Sequence, residues 1–511
     1  MTVLVTPGGT VLEAARKAGI LLPAPCGGRG ICGACGVRVL EGVLVEPDAE
    51  EADGLRRARP GVRLACRARV VSAVTVRPLG VPAPLGAGSA PRGRACRTLV
   101  AGVDLGTTSV AAVLVDSASG VEVGRASVPN AQQSYGADVV SRIGGAGSGA
   151  ADALRDDAEK SVRAALKDAA DSAGCDLAGL QRVVIAGNTV MAALLAADDV
   201  SSLGHHPFRP PAIRESIPAE VLMRLGLPAE THGIVLQPIA GFVGGDALAA
   251  TVAAGMVDAR EPMLLVDFGT NAEIVLAGAG DSGLTVSSAA AGPAFEGMGI
   301  TCGGPAAEGA VTRVRVSEEG SIALDVIGDV APLWFSGSGL VSAVARLRQL
   351  GHIDASGLMH EEGPLQARFR RTDEGIVAIA LAENGDGCLV LTQLDVRALQ
   401  LAKSAVRAGI ERVLAAGGVS PSDLAHVLVA GAFGSALDPL DLRELGVLPA
   451  QVRVPVVCVG NAALDGAAAL ALDPSLVELA SQVARAATHV DLALDPAFNA
   501  SLLGATELSP L

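Results

Sequence analysis

The stretch LVAGVDLGTTSVAAVLVD, residues 99–116, reads as an apolar strand, a polar tip through Asp104, Gly106, Thr107 and Thr108, and a second apolar strand. Small residues at such a tip let backbone N–H groups and hydroxyls approach phosphate oxygens, and Asp104 is placed to hold magnesium or its water. Taken alone this is a weak signal, because many hairpins turn on Asp and Gly for conformational reasons only. The arrangement returns, however, as MLLVDFGTNAEIVL, residues 263–276, with Asp267, Gly269, Thr270 and Asn271 at its tip, 163 residues after Asp104. Two such hairpins in one chain predict a duplicated fold whose halves face each other across a cleft, each offering a phosphate loop.

Further elements follow the same reading. HVLVAGAFGSALD, residues 426–438, runs a buried strand into Gly431, Ala432, Phe433 and Gly434, where a close backbone approach accommodates an adenosine. VVCVGNAALDGAAALAL, residues 456–472, adds a strand and a small-residue helix. In FSGSGLVSAVARL, residues 335–347, Ser338 and Gly339 are candidates to line the nucleotide, although Ser336 to Gly339 equally reads as a helix N-cap.

Towards the N-terminus the chemistry changes. Nine cysteines in 511 residues are too sparse for a disulfide framework, but Cys26, Cys32 and Cys35 fall within ten residues and Cys66 follows. The loop PCGGRGICGACGV carries glycines at 27, 28, 30, 33 and 36, so its backbone can wrap closely and aim N–H groups at charged sulfurs. Cys66 arrives in LACRARV as a distant fourth thiolate. A structural zinc site, whose paired C-x2-C knuckles are missing, and unligated core thiols are the alternatives. The gaps of five, two and thirty residues differ from the plant-type pattern and resemble the adrenodoxin-like branch of ferredoxins.

Thr10 and Glu13 fit a capping box, and Leu12, Ala15 and Ala18 fall at helical spacing, predicting a helix from Thr10 to Gly19. The strand VRVLEG follows the cysteine loop. One strand only, Thr2 to Val5, precedes that helix, where a β-grasp ferredoxin has two; a start codon assigned too late is the expected reason.

Residues 78–97, PLGVPAPLGAGSAPRGRACR, hold four prolines and four glycines without a periodic apolar face. They form an extended tether, either a mere spacer or one that lets the cluster domain swing between donor and acceptor. The expected organisation is a ferredoxin-type domain over 1–77, a linker over 78–97 and an ATP-binding domain over 98–511. Its fold class combines α+β and α/β parts.

Charge divides along the same line. The net charge is −15, yet residues 1–100 carry 14 Lys and Arg against 7 Asp and Glu, leaving 25 against 47 for the remainder. A basic redox domain beside an acidic one predicts electrostatic docking, internally or onto an acidic partner. With ten aromatic residues, base-stacking surfaces for nucleic acid are not expected. No apolar run reaches the roughly 18 residues that span a bilayer, and the N-terminus lacks a basic region before its apolar stretch, so a cytoplasmic protein is expected.

In this order the hairpins and the 430–434 segment resemble the actin/hexokinase/Hsp70 superfamily. That resemblance implies ATP as ligand, and magnesium and the attacking water as the business of Asp104 and Asp267. A ferredoxin module fused to such an ATPase resembles the reductive activators of corrinoid proteins, as do NAQQSYGADVVSRI, VIAGNTVM, AAAGPAFEGMGITCGG and LTQLDVRALQLAKSAVRAGI. The resemblance implies a 2Fe-2S cluster on Cys26, Cys32, Cys35 and Cys66 that passes an electron to Co(II) of a cobalamin methyltransferase protein, giving Co(I). A low-potential donor would refill the cluster. The Co(II)/Co(I) couple lies below an ordinary 2Fe-2S cluster, and one-electron transfer costs tenfold per about 59 mV, so uphill transfer needs ATP. Histidines that follow G-N-T in relatives are replaced by Ala192 and Ala193. Two other readings keep the parts: an ATP-coupled electron donor to a different low-potential enzyme, and a redox sensor with a vestigial ATPase. Whether the chain forms a homodimer is left open by its sequence.

Overall fold

The computed structural model describes residues 9–17, 35–49, 51–52, 62–78, 98–136, 138–257, 259–278, 283–317, 320–384, 387–431 and 437–509. Thr2 to Val5, Cys26, Cys32, most of the 78–97 linker, and Ala432, Phe433 and Gly434 lie outside them. The chain divides into two units, Met1–Asp246 and Ala247–Leu511, the division falling within helix Gly245–Ala253.

The N-terminal part of the first unit packs helix Val11–Lys17 against β1 (Gly36–Glu41), β2 (Val62–Leu64) and β3 (Thr75–Pro78), with β1 central and antiparallel to both neighbours. The helix begins where the capping box predicts: Glu13 N–H donates to Thr10 Oγ1 at 3.2 Å and Thr10 N–H to Glu13 Oε2 at 2.8 Å. Its described length is shorter than Thr10 to Gly19, since residues 18–34 are outside the described set. Leu12, Val37, Leu64 and Val70 fill a small core.

The rest of this unit is a five-stranded sheet in the order β6-β5-β4-β7-β8, from β4 (Leu99–Leu105), β5 (Ser109–Asp116), β6 (Val121–Pro129), β7 (Leu180–Gly187) and β8 (His232–Val235). β4, β5 and β6 form an antiparallel meander, while β7 and β8 continue from β4 in parallel. A parallel neighbour needs a crossover, supplied by helix Ala151–Ala173, whose Leu154, Ala158, Val162, Ala165 and Leu166 bury one face at helical spacing.

The second unit repeats the plan. Its main sheet, β19-β18-β9-β10-β11-β20, contains β9 (Met263–Phe268), β10 (Ala272–Ala277), β11 (Thr285–Ala289), β18 (His426–Ala430), β19 (Val456–Gly460) and β20 (Thr488–His489). β9 to β11 are the antiparallel meander and β18 and β19 its parallel extension, reached through helix Gln393–Ala416. Two small sheets are inserted between β11 and that helix. One comprises β12 (Ala310–Val316), β13 (Ile322–Val326) and β14 (Trp334–Phe335); the other β15 (Phe369–Arg371), β16 (Val377–Asn384) and β17 (Gly387–Thr392).

The residues after helix Phe498–Gly504 return to this unit as a strap. Four consecutive carbonyls are met by side chains: Ala505 by Ser404 Oγ at 3.0 Å, Thr506 by Gln400 Nε2 at 3.0 Å, Glu507 by Lys403 Nζ, and Leu508 by Arg348 Nε at 2.7 Å. Among the described residues no helix is long and apolar enough to cross a membrane.

Candidate functional site

Two of the four cysteines expected to hold a cluster fall in the described residues. Cys35 and Cys66 are buried, with the Cys35 thiol directed at Cys66 Sγ over 3.3 Å. A disulfide is about 2.05 Å long, so these are two adjacent thiols. Their approach is built by the backbone: Ala65 N–H donates to Cys35 O at 3.0 Å and Leu12 N–H to Ala65 O at 2.8 Å. Behind them Glu51, buried, accepts from Arg63 Nε at 2.8 Å and Nη2 at 2.7 Å, and from Leu64 N–H at 3.0 Å. Two converging buried thiols fit a pair of ligands to one iron. Of the remaining described cysteines, Cys302, Cys388 and Cys458 carry thiols outside any disulfide, and Cys175 is disulfide-bonded. Burial pushes the Cys388 and Cys458 thiols up, away from the reactive thiolate form.

The two hairpins occupy equivalent places. Asp104 is the penultimate residue of β4, opposite Ala111 of β5 and beside Ala186 of β7; Asp267 is the penultimate residue of β9, opposite Glu273 of β10 and beside Ala430 of β18. In each unit a glycine follows on the parallel strand. A methyl on Gly187 would sit 2.8 Å from Leu105 O, and one on Gly431 would sit 2.3 Å from Phe268 O and 3.0 Å from Asp267 Oδ1. Gly431 also has φ +110°, so only glycine fits against the aspartate. Gly187, which opens the G-N-T segment of the first unit, is thus the counterpart of Gly431 in the second. That correspondence follows from strand register and is invisible in local sequence. Ala192 and Ala193 are buried, while His205 and His206 are exposed.

Gly106, Thr107 and Thr108 form the first tip, half-buried, with all three carbonyls occupied. Asn130 Nδ2 donates to Gly106 O at 2.8 Å, Arg142 Nη2 to Thr107 O, and Gln133 Nε2 to Thr108 O, which also accepts Asn130 N–H at 3.0 Å. The second tip, Gly269 to Asn271, is held differently. Thr270 Oγ1 donates to the Glu296 carboxylate, and Gly292 N–H donates to Thr270 O at 3.1 Å. Glu296 ends the short 3-10 turn Pro293–Glu296, which is wedged by Phe295 against Phe268 with ring centroids 5.0 Å apart.

Helix Gly337–Gln349 meets the same turn: a methyl on Gly337 would lie 1.5 Å from Phe295 O. Ser336 is its N-cap, its Oγ accepting from Gly339 N–H at 3.3 Å. Ser338 Oγ lies 3.0 Å from Ser336 Oγ, and both serines are buried. Of the two readings of this segment, the cap is observed, and the cap sets the position of the Glu296 turn. Arg142, Asn130, Gln133 and Glu296 were not among the candidate residues. They lie 22 to 36 residues from the tips they support, and nothing in their local spacing marks them.

Comparison with known proteins agrees with this anatomy. Residues 1–71 match the 2Fe-2S iron-sulfur cluster binding domain, residues 99–259 the RACo middle region, and residues 261–510 the C-terminal domain of RACo, described as the ASKHA domain. A corrinoid activation enzyme, RamQ, of Eubacterium limosum is 33% identical over 408 residues, covering 77% of this chain and 68% of RamQ. A [Co(II) methylated amine-specific corrinoid protein] reductase of Methanosarcina barkeri is 27% identical over 356 residues, covering 63% of this chain and 62% of that protein. A solved structure titled as a reductive activator for corrinoid,iron-sulfur protein shares the fold, with a TM-score of 0.73 over 99% of this chain and 96% of its own at 24% identity. With its 2Fe-2S domain, RACo middle region and ASKHA domain in one chain, the protein belongs to the family of corrinoid activation enzymes.

Proposed function

We propose that this protein uses ATP to drive the reduction of Co(II) to Co(I) in a cobalamin-dependent methyltransferase protein. The observation that carries the reading is the presence, in one chain, of two adjacent buried thiols and two Asp-tipped hairpins at equivalent register. Cys35 and Cys66, with Cys26 and Cys32, would hold a 2Fe-2S cluster, and that group supplies a single electron when bound. A low-potential donor would refill it.

The residues of the ATPase part divide the remaining work. Asp104 and Asp267 would hold magnesium and its water, and the tips Gly106–Thr108 and Gly269–Asn271 would receive the phosphates. Gly431 and the 432–434 segment would sit beneath the adenosine, and Ser338 and Gly339 would border it. Closing on ATP and reopening after hydrolysis would favour a state of the bound partner in which cobalt is more easily reduced, coupling binding free energy to redox poise. Residues 1–77 would act as the redox module, 78–97 as its tether and 98–511 as the ATPase, in the cytoplasm. The basic N-terminal hundred residues suit an acidic docking surface.

The test is anaerobic mixing of the protein with a Co(II) corrinoid protein and a low-potential reductant, followed by visible spectroscopy. Co(I) absorbance is expected only with MgATP and is expected to be lost in Cys35→Ser and Asp267→Asn. A cluster that bleaches while cobalt stays Co(II) would remove the corrinoid partner and leave an ATP-coupled donor to another enzyme.

A further inference from the structure

Three consecutive carbonyls at the first tip are held by side chains from one stretch of thirteen residues, Asn130 to Arg142. In a trans peptide the C=O and the following N–H lie in one plane and point in opposite directions. Drawing the carbonyls of Gly106 and Thr107 towards Asn130 and Arg142 therefore turns the N–H groups of Thr107 and Thr108 the other way. An anion-binding concavity is made of successive N–H groups held in this manner.

The holders are themselves set in place. Asn130 is fully buried and its Oδ1 accepts Gln132 N–H at 2.9 Å. Arg142 is also fully buried, with Nε donating to Gly136 O at 3.2 Å and Nη1 to Gln132 Oε1 at 3.1 Å and meeting Met191 Sδ at 2.7 Å. Burying a guanidinium is costly, and its contacts here reach the tip through Thr107 O. A cation behind a peptide whose N–H faces outward strengthens that N–H as a donor to an anion, because the low dielectric leaves its field unscreened.

We infer that Asn130, Gln133 and Arg142 are positioning residues that shape the Gly106–Thr108 tip to receive a nucleotide phosphate, acting through the tip carbonyls without touching the nucleotide. The inference rests on the reading of this tip as a phosphate loop. Its reach is specific: changes at the three residues should alter phosphate recognition more than stability.

The experiment compares the full-length protein with Gln133→Leu, Arg142→Lys and Arg142→Met, and with Leu166→Ala, which removes a fully buried side chain of the same unit away from the tip. Melting temperature without nucleotide, the melting shift caused by MgATP, and kcat and KM for ATP are measured for each. Gln133→Leu is expected to raise KM for ATP by about tenfold and to shrink the MgATP shift. Arg142→Lys, which keeps the charge, should recover part of what Arg142→Met loses. Leu166→Ala should lower the melting temperature while KM stays within about twofold. The inference is overturned if Gln133→Leu and Arg142→Met only lower the melting temperature, as Leu166→Ala does. An unaltered protein with no MgATP-dependent shift overturns the phosphate-loop reading as well.

Discussion

The two Asp-tipped hairpins share the V-D-x-G-T pattern at their tips and the same neighbours in register, yet their tips are supported by different physics. The first is held by a buried polar group, Asn130, Gln133 and Arg142, that occupies its carbonyls. The second is held by a hydroxyl-carboxylate bond, Thr270 to Glu296, and by close backbone contacts that only glycine permits at Gly337 and Gly431. Duplication preserved the strands and the aspartates while the supports diverged. Strand register is dictated by a whole buried face and resists change, whereas a support needs only to hold a few atoms and has many solutions.

The largest effect expected from this contrast is at Gly337. Gly337→Ala places a methyl on Phe295 O and must move backbone, so a loss of at least about 3 kcal/mol is predicted, with the Thr270–Glu296 contact broken. Denaturant melts of the second unit would show it, and near-normal stability would mean that the Phe295 turn is free to shift. The crossover helices extend the comparison. Helix Ala151–Ala173 buries Glu159, paired with Arg224 at 2.7 Å, whereas helix Gln393–Ala416 buries Lys403, whose burial pulls its ammonium down to about 8. Because that value lies below the ordinary 10.5, between the two the unfolded chain keeps a proton that the folded one has shed. Stability should therefore rise with pH through this window, by up to about 3 kcal/mol relative to Lys403→Met, and be insensitive to this group below about pH 8. Parallel stability curves for the two proteins would contradict it.

Gly187→Ala tests the looser counterpart of Gly431. The methyl would sit 2.8 Å from Leu105 O, so a cost of about 1 to 2 kcal/mol is expected by thermal melting, less than for Gly431→Ala. The smallest change is Glu296→Gln, which retains an acceptor for Thr270 and should reduce ATP turnover less than Glu296→Ala, for which about a tenfold fall is expected. Equal falls in both would point to the charge of Glu296, and not its hold on Thr270, as the contribution that matters.

Much of this architecture was readable before any coordinates. Both hairpins, the capping box at Thr10 and Glu13, and the strand after the cysteine loop depend on local periodicity and short-range bonding, which sequence displays directly. The duplication was readable from the repeated tips, but its full extent was not. That Gly187 and Gly431 are equivalent depends on which strand lies beside β4 and β9, and strand neighbours are set by crossovers of dozens of residues. The supports escaped for a related reason. NAQQSYGADVVSRI stood out as a segment without a role, since Asn130 and Arg142 acquire one only when the meander returns them beneath a tip 24 and 35 residues earlier. Ser336 had two readings that differ only in which group its hydroxyl meets.

The strap over residues 505–508 is gripped by its main chain. Every residue offers a carbonyl, so Ser404, Gln400, Lys403 and Arg348 together recognise an extended backbone while remaining blind to what Ala505, Thr506 and Glu507 carry as side chains. Thr506 and Glu507 can therefore drift in evolution with the grip intact, while Ala505 and Leu508, whose side chains are buried, fix the phase in which the segment is laid down.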